Sequence, residues 1–79
     1  MNGLFSWQEK YAPYFGKEVF LYIARTNDVM KTRCKLLDPR KTIHPYRLPR
    51  YRSVAIINSG SGKFRLISMD RIVGIKEVN

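Results

Sequence analysis

The chain has 79 residues, with 15 lysines and arginines against 6 acidic residues, for a formal net charge of +9. A chain of this length forms one small domain, residues 1–79, that buries only about 60% of its unfolded surface. Its one cysteine and one histidine exclude an internal disulfide and a closed four-ligand zinc site, while a hydrophobic share of 44% excludes a disordered tail.

The longest apolar run covers only residues 54 to 57, which leaves no transmembrane helix. The opening MNGLFSWQEK has neither the basic start nor the apolar run of a signal peptide. A free thiol suits a reducing compartment, so the expected location is cytoplasmic.

Residues 4–15 carry Leu4, Trp7, Tyr11 and Tyr14 or Phe15 at helical spacing. Ser6 and Glu9 have the spacing of a capping box, and Pro13 and Gly16 supply a stop. A helix this short needs a surface to pack on, so the aromatic stripe is expected in the core. Residues 18–25 alternate Val19, Leu21 and Ile23 with Phe20, Tyr22 and Ala24. Apolar residues on both sides predict a central strand. Thr26, Asn27 and Asp28 supply turn chemistry.

Residues 29–37 form a cleaner strand, with Met30, Thr32, Cys34 and Leu36 inward and Lys31, Arg33 and Lys35 outward. Taken alone, that cationic row reads as an ordinary exposed strand face. Residues 38–49 contain Pro39, Pro45 and Pro49, which cannot donate to a sheet ladder and so predict a loop. Strands follow over 51–58, 63–69 and 72–78, with a glycine-serine hairpin tip at 59–62 and a tight corner or short helical turn at Asp70 and Arg71. In the last strand Val73 and Ile75 fall on one side, against Ile72, Gly74 and Lys76. The expected fold is mainly β: a short N-terminal helix followed by a five-stranded SH3-like or Sm-like barrel, since short twisted strands hide their edges by closing.

From Pro39 to Met69 there is no acidic residue, but there are seven cations: Arg40, Lys41, Arg47, Arg50, Arg52, Lys63 and Arg65. Charge of one sign repels itself unless an anion compensates it, and a phosphate backbone does so with release of its own counterions. Arginines interleaved with His44, Tyr46 and Tyr51 suit phosphate contact combined with stacking on bases. The competing reading is a solvated loop held open by prolines, with its tyrosines packed back on the barrel.

Nothing in the sequence assembles catalytic chemistry. There is no Walker loop, acid pair or metal cluster, and the 59–62 glycines do not run into a helix. Cys34, at an inward strand position, reads as a small hydrophobe. The chain is therefore read as a non-enzyme without cofactors.

The segment VFLYIARTNDVMKTRCKLLDP, and after it Arg65-Leu66-Ile67-Ser68-Met69-Asp70-Arg71-Ile72-Val73-Gly74-Ile75, resembles the WYL domain, a small Sm-like or SH3-like barrel of bacterial and phage regulators. Arg65, Asp70, Arg71 and Ile72 match its closing pattern, and Ile67 and Met69 stand in as apolar equivalents. The strand that carries the family's Trp-Tyr-Leu triplet reads Tyr51-Arg52-Ser53-Val54-Ala55 here. The resemblance implies binding of nucleic acid or nucleotide-type ligands through arginines, with Arg65 and Arg71 as inherited candidates. The order of one helix and five strands also resembles the Sm-like RNA chaperones, which act as rings, so an oligomer is compatible with it.

The functional expectation is a small nucleic-acid-binding or regulatory module. Its site would comprise Arg40, Lys41, Arg47, Arg50, Arg52, Lys63, Arg65 and Arg71, with Tyr46 and Tyr51 as stacking platforms. The alternative is a phage-like or accessory factor that docks the acidic surface of a nucleic-acid-processing enzyme.

Overall fold

A computed structural model describes residues 6–38, 40–41 and 52–78. Helix α1 (Ser6–Glu9) is a single turn, followed by a 3₁₀ turn at Ala12–Tyr14. Five strands follow: β1 (Glu18–Ala24), β2 (Val29–Leu36), β3 (Ser53–Asn58), β4 (Phe64–Ser68) and β5 (Ile72–Glu77). A second 3₁₀ turn, Met69–Arg71, joins β4 to β5.

Among the described residues the predicted strands lose one or two residues at their ends, and the predicted start of the third strand at residue 51 lies outside the described part. The predicted helix over 4–15 changes more: it is one α-turn and one 3₁₀ turn, and its expected first two residues lie outside the described part. Pro13 explains the break. A proline ring clashes with the carbonyl four residues earlier, here that of Glu9, the last α-helical residue. Pro13 is tolerated at the start of the 3₁₀ turn, where no N–H is required. Gly16, with φ of +79°, then turns the chain into β1. Its amide donates to the Leu36 carbonyl at 2.7 Å, and the Leu36 amide donates to Lys17 at 3.1 Å.

The strands form one antiparallel sheet in the order β4-β3-β2-β1-β5. The sheet is open: no ladder joins β4 to β5 among the described residues, where a barrel would close. Its two edges are nonetheless linked by the three residues Met69–Arg71. A flat sheet would hold edges four strand spacings apart, about 19 Å. A three-residue 3₁₀ turn advances only about 2 Å per residue. The sheet must therefore coil strongly, which matches the twist expected of short strands.

One side of the sheet holds the core. Val19, Leu21 and Ile23 of β1, Cys34 and Leu36 of β2, Val54 and Ile56 of β3 and Ile67 of β4 are all buried. Tyr11 is buried with them, and Tyr14, Phe15, Met30, Met69, Ile72 and Ile75 pack at the margin. β1 splits into its two predicted sides and β2 shows its expected inward and outward sets; of the N-terminal aromatics, Tyr11 is in the core as expected and Tyr14 and Phe15 pack against it. The side chain of Trp7 lies outside the described set.

In β5 the simple alternation fails. Ile23 pairs with Ile72 but Tyr22 pairs with Gly74, so Val73 is an extra residue in the ladder. This bulge places Ile72 and Ile75 on the same, core-facing side and leaves Val73 60% exposed.

Candidate nucleic-acid interface

The described members of the predicted site lie in the turn after β2 (Arg40, Lys41), just before β3 (Arg52), just before and within β4 (Lys63, Arg65) and in the second 3₁₀ turn (Arg71). Arg40 is exposed and forms a forked pair with Asp38, with both guanidinium bonds at 3.0 Å. Lys41 is exposed in the same turn. Arg52 is exposed just before β3, with φ of +37°. A non-glycine residue in that region carries roughly 1–2 kcal/mol of strain. Lys63 lies at the far end of the β3–β4 hairpin, where its carbonyl accepts from the Asn58 amide. Six residues separate Arg52 from Asn58 along the chain, about 20 Å of strand.

Arg65 is opposite Ile56, on the core-facing side of the exposed edge strand β4. Arg71 closes the second 3₁₀ turn, and its Nε donates to the Ala24 carbonyl at 3.4 Å. Tyr46, Arg47, Arg50, Tyr51 and His44 lie outside the described residues.

A different surface gathers charge and aromaticity. On the outward side of β1, β2 and β5 the ladders align two rows. The first runs Lys76, Phe20, Arg33, and the second Gly74, Tyr22, Lys31. Lys35 extends the β2 side, opposite Glu18. The four cations are exposed, and the two rings are half-buried between them. The Lys31 ammonium sits 4.2 Å from the centroid of the Phe20 ring. The Tyr22 ring leans on Gly74, where a Cβ would lie 3.3 Å from Tyr22 Cδ2. With strands about 4.8 Å apart, the three-strand face is about 10 Å wide at backbone level.

Glu18 is the only carboxylate on this face among the described residues. Its Oε2 accepts from Arg33 Nε at 3.1 Å and from the Ser59 hydroxyl. The Ser59 hydrogen bond is the largest influence on its carboxyl; together with the hydrogen bond and field of Arg33 and the field of Lys35 it outweighs desolvation, the second-largest influence, and holds the group below the usual glutamate range. Of the other acids, Asp28 pairs with Arg25, Asp38 with Arg40 and Glu77 with Lys17. Lys31, Lys35 and Lys76 have no carboxylate partner among the described residues. All six acidic residues lie in the described part, so the excess of +9 has no internal side-chain anion to cancel it.

Cys34 is fully buried on the opposite side of β2. Burial, assisted by the Glu18 carboxylate, pushes its thiol up to about 11, which keeps it protonated and unreactive at neutral pH. Among the described residues no group of three or more acidic, histidine or cysteine side chains is placed to hold a metal.

The alternation in the sequence shows Lys31, Arg33 and Lys35 as one row but does not connect them to Phe20, Tyr22 or Lys76. One signal was available for the first two. A hairpin closed over Arg25–Asp28 places Phe20 opposite Arg33 and Tyr22 opposite Lys31 by simple counting. Lys76 was hidden by the bulge, because its position across from Phe20 depends on the extra residue Val73.

No family model, curated protein or solved structure matches this chain. No helix among the described residues is long and apolar enough to cross a membrane.

Proposed function

We propose that this protein is a small non-enzymatic module that binds nucleic acid through its cationic surface. One observation carries this reading: four exposed cations, Lys31, Arg33, Lys35 and Lys76, surround two half-buried rings on one sheet face, with a single carboxylate among them. Cations arranged this way suit a polyanion, and rings between them suit the bases attached to it. The acid-free segment from Pro39 to Met69 supplies further positive charge, with Lys41 exposed in the turn after β2 and Arg52, Lys63 and Arg65 exposed on the β3–β4 segment.

The strand order and the 3₁₀ link between β4 and β5 support a sheet rolled into an SH3-like or Sm-like barrel, the architecture suggested by the WYL-like pattern. A protonated, buried Cys34 thiol suits a reducing cytoplasm.

The test is a titration of labelled oligonucleotides over a range of salt. The natural chain is compared with one carrying Lys31→Ala, Lys35→Ala and Lys76→Ala together. Binding that weakens with salt, with a shallower slope in the triple variant, supports the reading. Absence of binding to RNA and DNA at low salt overturns it.

A second reading, a factor that docks another protein, draws on β4. Phe64 and Leu66 are 50% and 46% exposed on its outward side, beside Ile57 and Ala55 of β3. Exposed apolar side chains on a sheet edge favour a partner surface. Recovery of one stoichiometric acidic protein from nuclease-treated lysate would favour this reading over the first.

A further inference from the structure

The geometry points to single-stranded nucleic acid as the ligand class, with Tyr22 and Phe20 as base-stacking platforms on the outward face of β1. This deepens the proposed function and rests on it.

Tyr22 and Phe20 are two residues apart on one strand, so their side chains share a face about 6.6 Å apart along it. Each ring stands between two neighbouring strands. Phe20 is flanked by Lys76 on β5 and Arg33 on β2, and Tyr22 by Gly74 and Lys31.

Gly74 is the residue that seats Tyr22. With no side chain at that position, the ring lies against the β5 backbone, 3.3 Å from where a Cβ would be. A ring supported from below presents its other face to a base. The Lys31 ammonium over Phe20 shows that the second ring attracts a cation through its face. A nucleotide brings both groups this surface needs: a base for the ring, and a phosphate for the displaced ammonium.

The surface discriminates against duplex. Paired, stacked bases expose only their edges, whereas an unpaired strand can lay bases flat on aromatic side chains. Cations on both flanks of the rings can then follow the backbone on either side. Stacking of this kind tolerates any base sequence, so the preference is for strandedness rather than for sequence.

The experiment measures binding of fluorescently labelled oligouridylate, oligothymidylate and a mixed-sequence DNA duplex to the natural chain, Tyr22→Leu, Tyr22→Phe and Phe20→Leu. Neither ring belongs to the fully buried core, and circular dichroism confirms the fold of each variant. Both single strands are expected to bind at least tenfold tighter than the duplex. Tyr22→Leu is expected to lose about tenfold on single strands, the size of one lost stacking contact, with its salt slope unchanged. Tyr22→Phe should retain natural affinity, and Phe20→Leu gives an independent loss should Tyr22→Leu fail to fold. Upfield shifts of the Tyr22 ring protons on addition of oligonucleotide would report the stacked base directly.

Equal binding of duplex and single strands, with both leucine variants at natural affinity, overturns the stacking assignment while phosphate binding stands. No salt-sensitive binding to any of the three probes overturns the stacking assignment and the proposed function together.

Discussion

Glu18 is the negative charge that most directly limits the cationic face, so Glu18→Gln is the sharpest perturbation of it. Glu18 holds Arg33 at 3.1 Å, while Lys31, Lys35 and Lys76 have no carboxylate partner among the described residues. Each phosphate neutralised on a single strand contributes about −0.7 to the slope of log affinity against log salt. Three cations therefore predict a slope of about −2.1, and four predict about −2.8. Between 50 and 200 mM salt these slopes correspond to losses of about 18-fold and about 50-fold. Gln keeps an acceptor oxygen of the same shape but not the charge, so Arg33 becomes available to the ligand.

The variant should bind more tightly at low salt and show the steeper slope, read by fluorescence anisotropy at a series of salt concentrations. A pH arm checks the cause. The Ser59 hydroxyl first, then Arg33 and Lys35, keep the Glu18 carboxyl below the usual range, so the natural chain should approach the variant only at acid pH. An unchanged slope in Glu18→Gln, or weaker binding than the natural chain, would refute the assignment of Arg33 to the binding face.

Four further outcomes follow from the same geometry. The carboxyls of Glu18, Asp28 and Asp38 are all held below their ordinary values, with hydrogen bonds from Ser59, Arg25 and Arg40 as the leading causes. Their stabilising contribution is present above the ordinary carboxylate range and is lost as pH falls through the lowered folded values, so the urea midpoint should decline below about pH 4. The Cys34 thiol, at about 11 in the fold, contributes in the opposite sense. Its share of stability is present below the ordinary thiol range and disappears as pH rises towards that value, and a Cys34→Ala variant should show a smaller alkaline decline. A thiol reagent at neutral pH should label Cys34 only as fast as the chain unfolds. Leu21→Ala removes a side chain with 0% exposure and should cost about 2–5 kcal/mol. A chain of this size has roughly 4–12 kcal/mol in total, so the variant should show a large drop in thermal midpoint by circular dichroism.

Much of the fold was legible because local periodicity and local sterics wrote it. The alternation in Val29–Leu36 set the inward cysteine and the outward cations without reference to any partner strand. Pro13 limited the helix for a reason visible in the chain, although the aromatic spacing over residues 4–15 suggested a longer element. The corner at Asp70 and Arg71 became a 3₁₀ turn in which the Ser68 hydroxyl accepts from the Asp70 amide at 3.3 Å. The hairpin tip was equally local, since the Asn58 side chain accepts from the amides of Gly60 and Ser61.

The candidate site was legible only in part. Charge is a property of composition, and the sequence alone established a surplus of +9 and its concentration in an acid-free segment. It also established the outward row on β2. Which cations share a face depends on pairing between distant residues. Arg33 meets Glu18 across fifteen positions, and Lys76 reaches Phe20 only through the β1–β5 ladder. Side chains alternate with a period of two along a strand, so a single extra residue such as Val73 exchanges the faces of everything on one side of it. Composition thus determined that this protein carries uncompensated positive charge. The register of its sheet decided that four of those charges surround Phe20 and Tyr22, because sidedness is fixed by ladders that close only when the chain is folded.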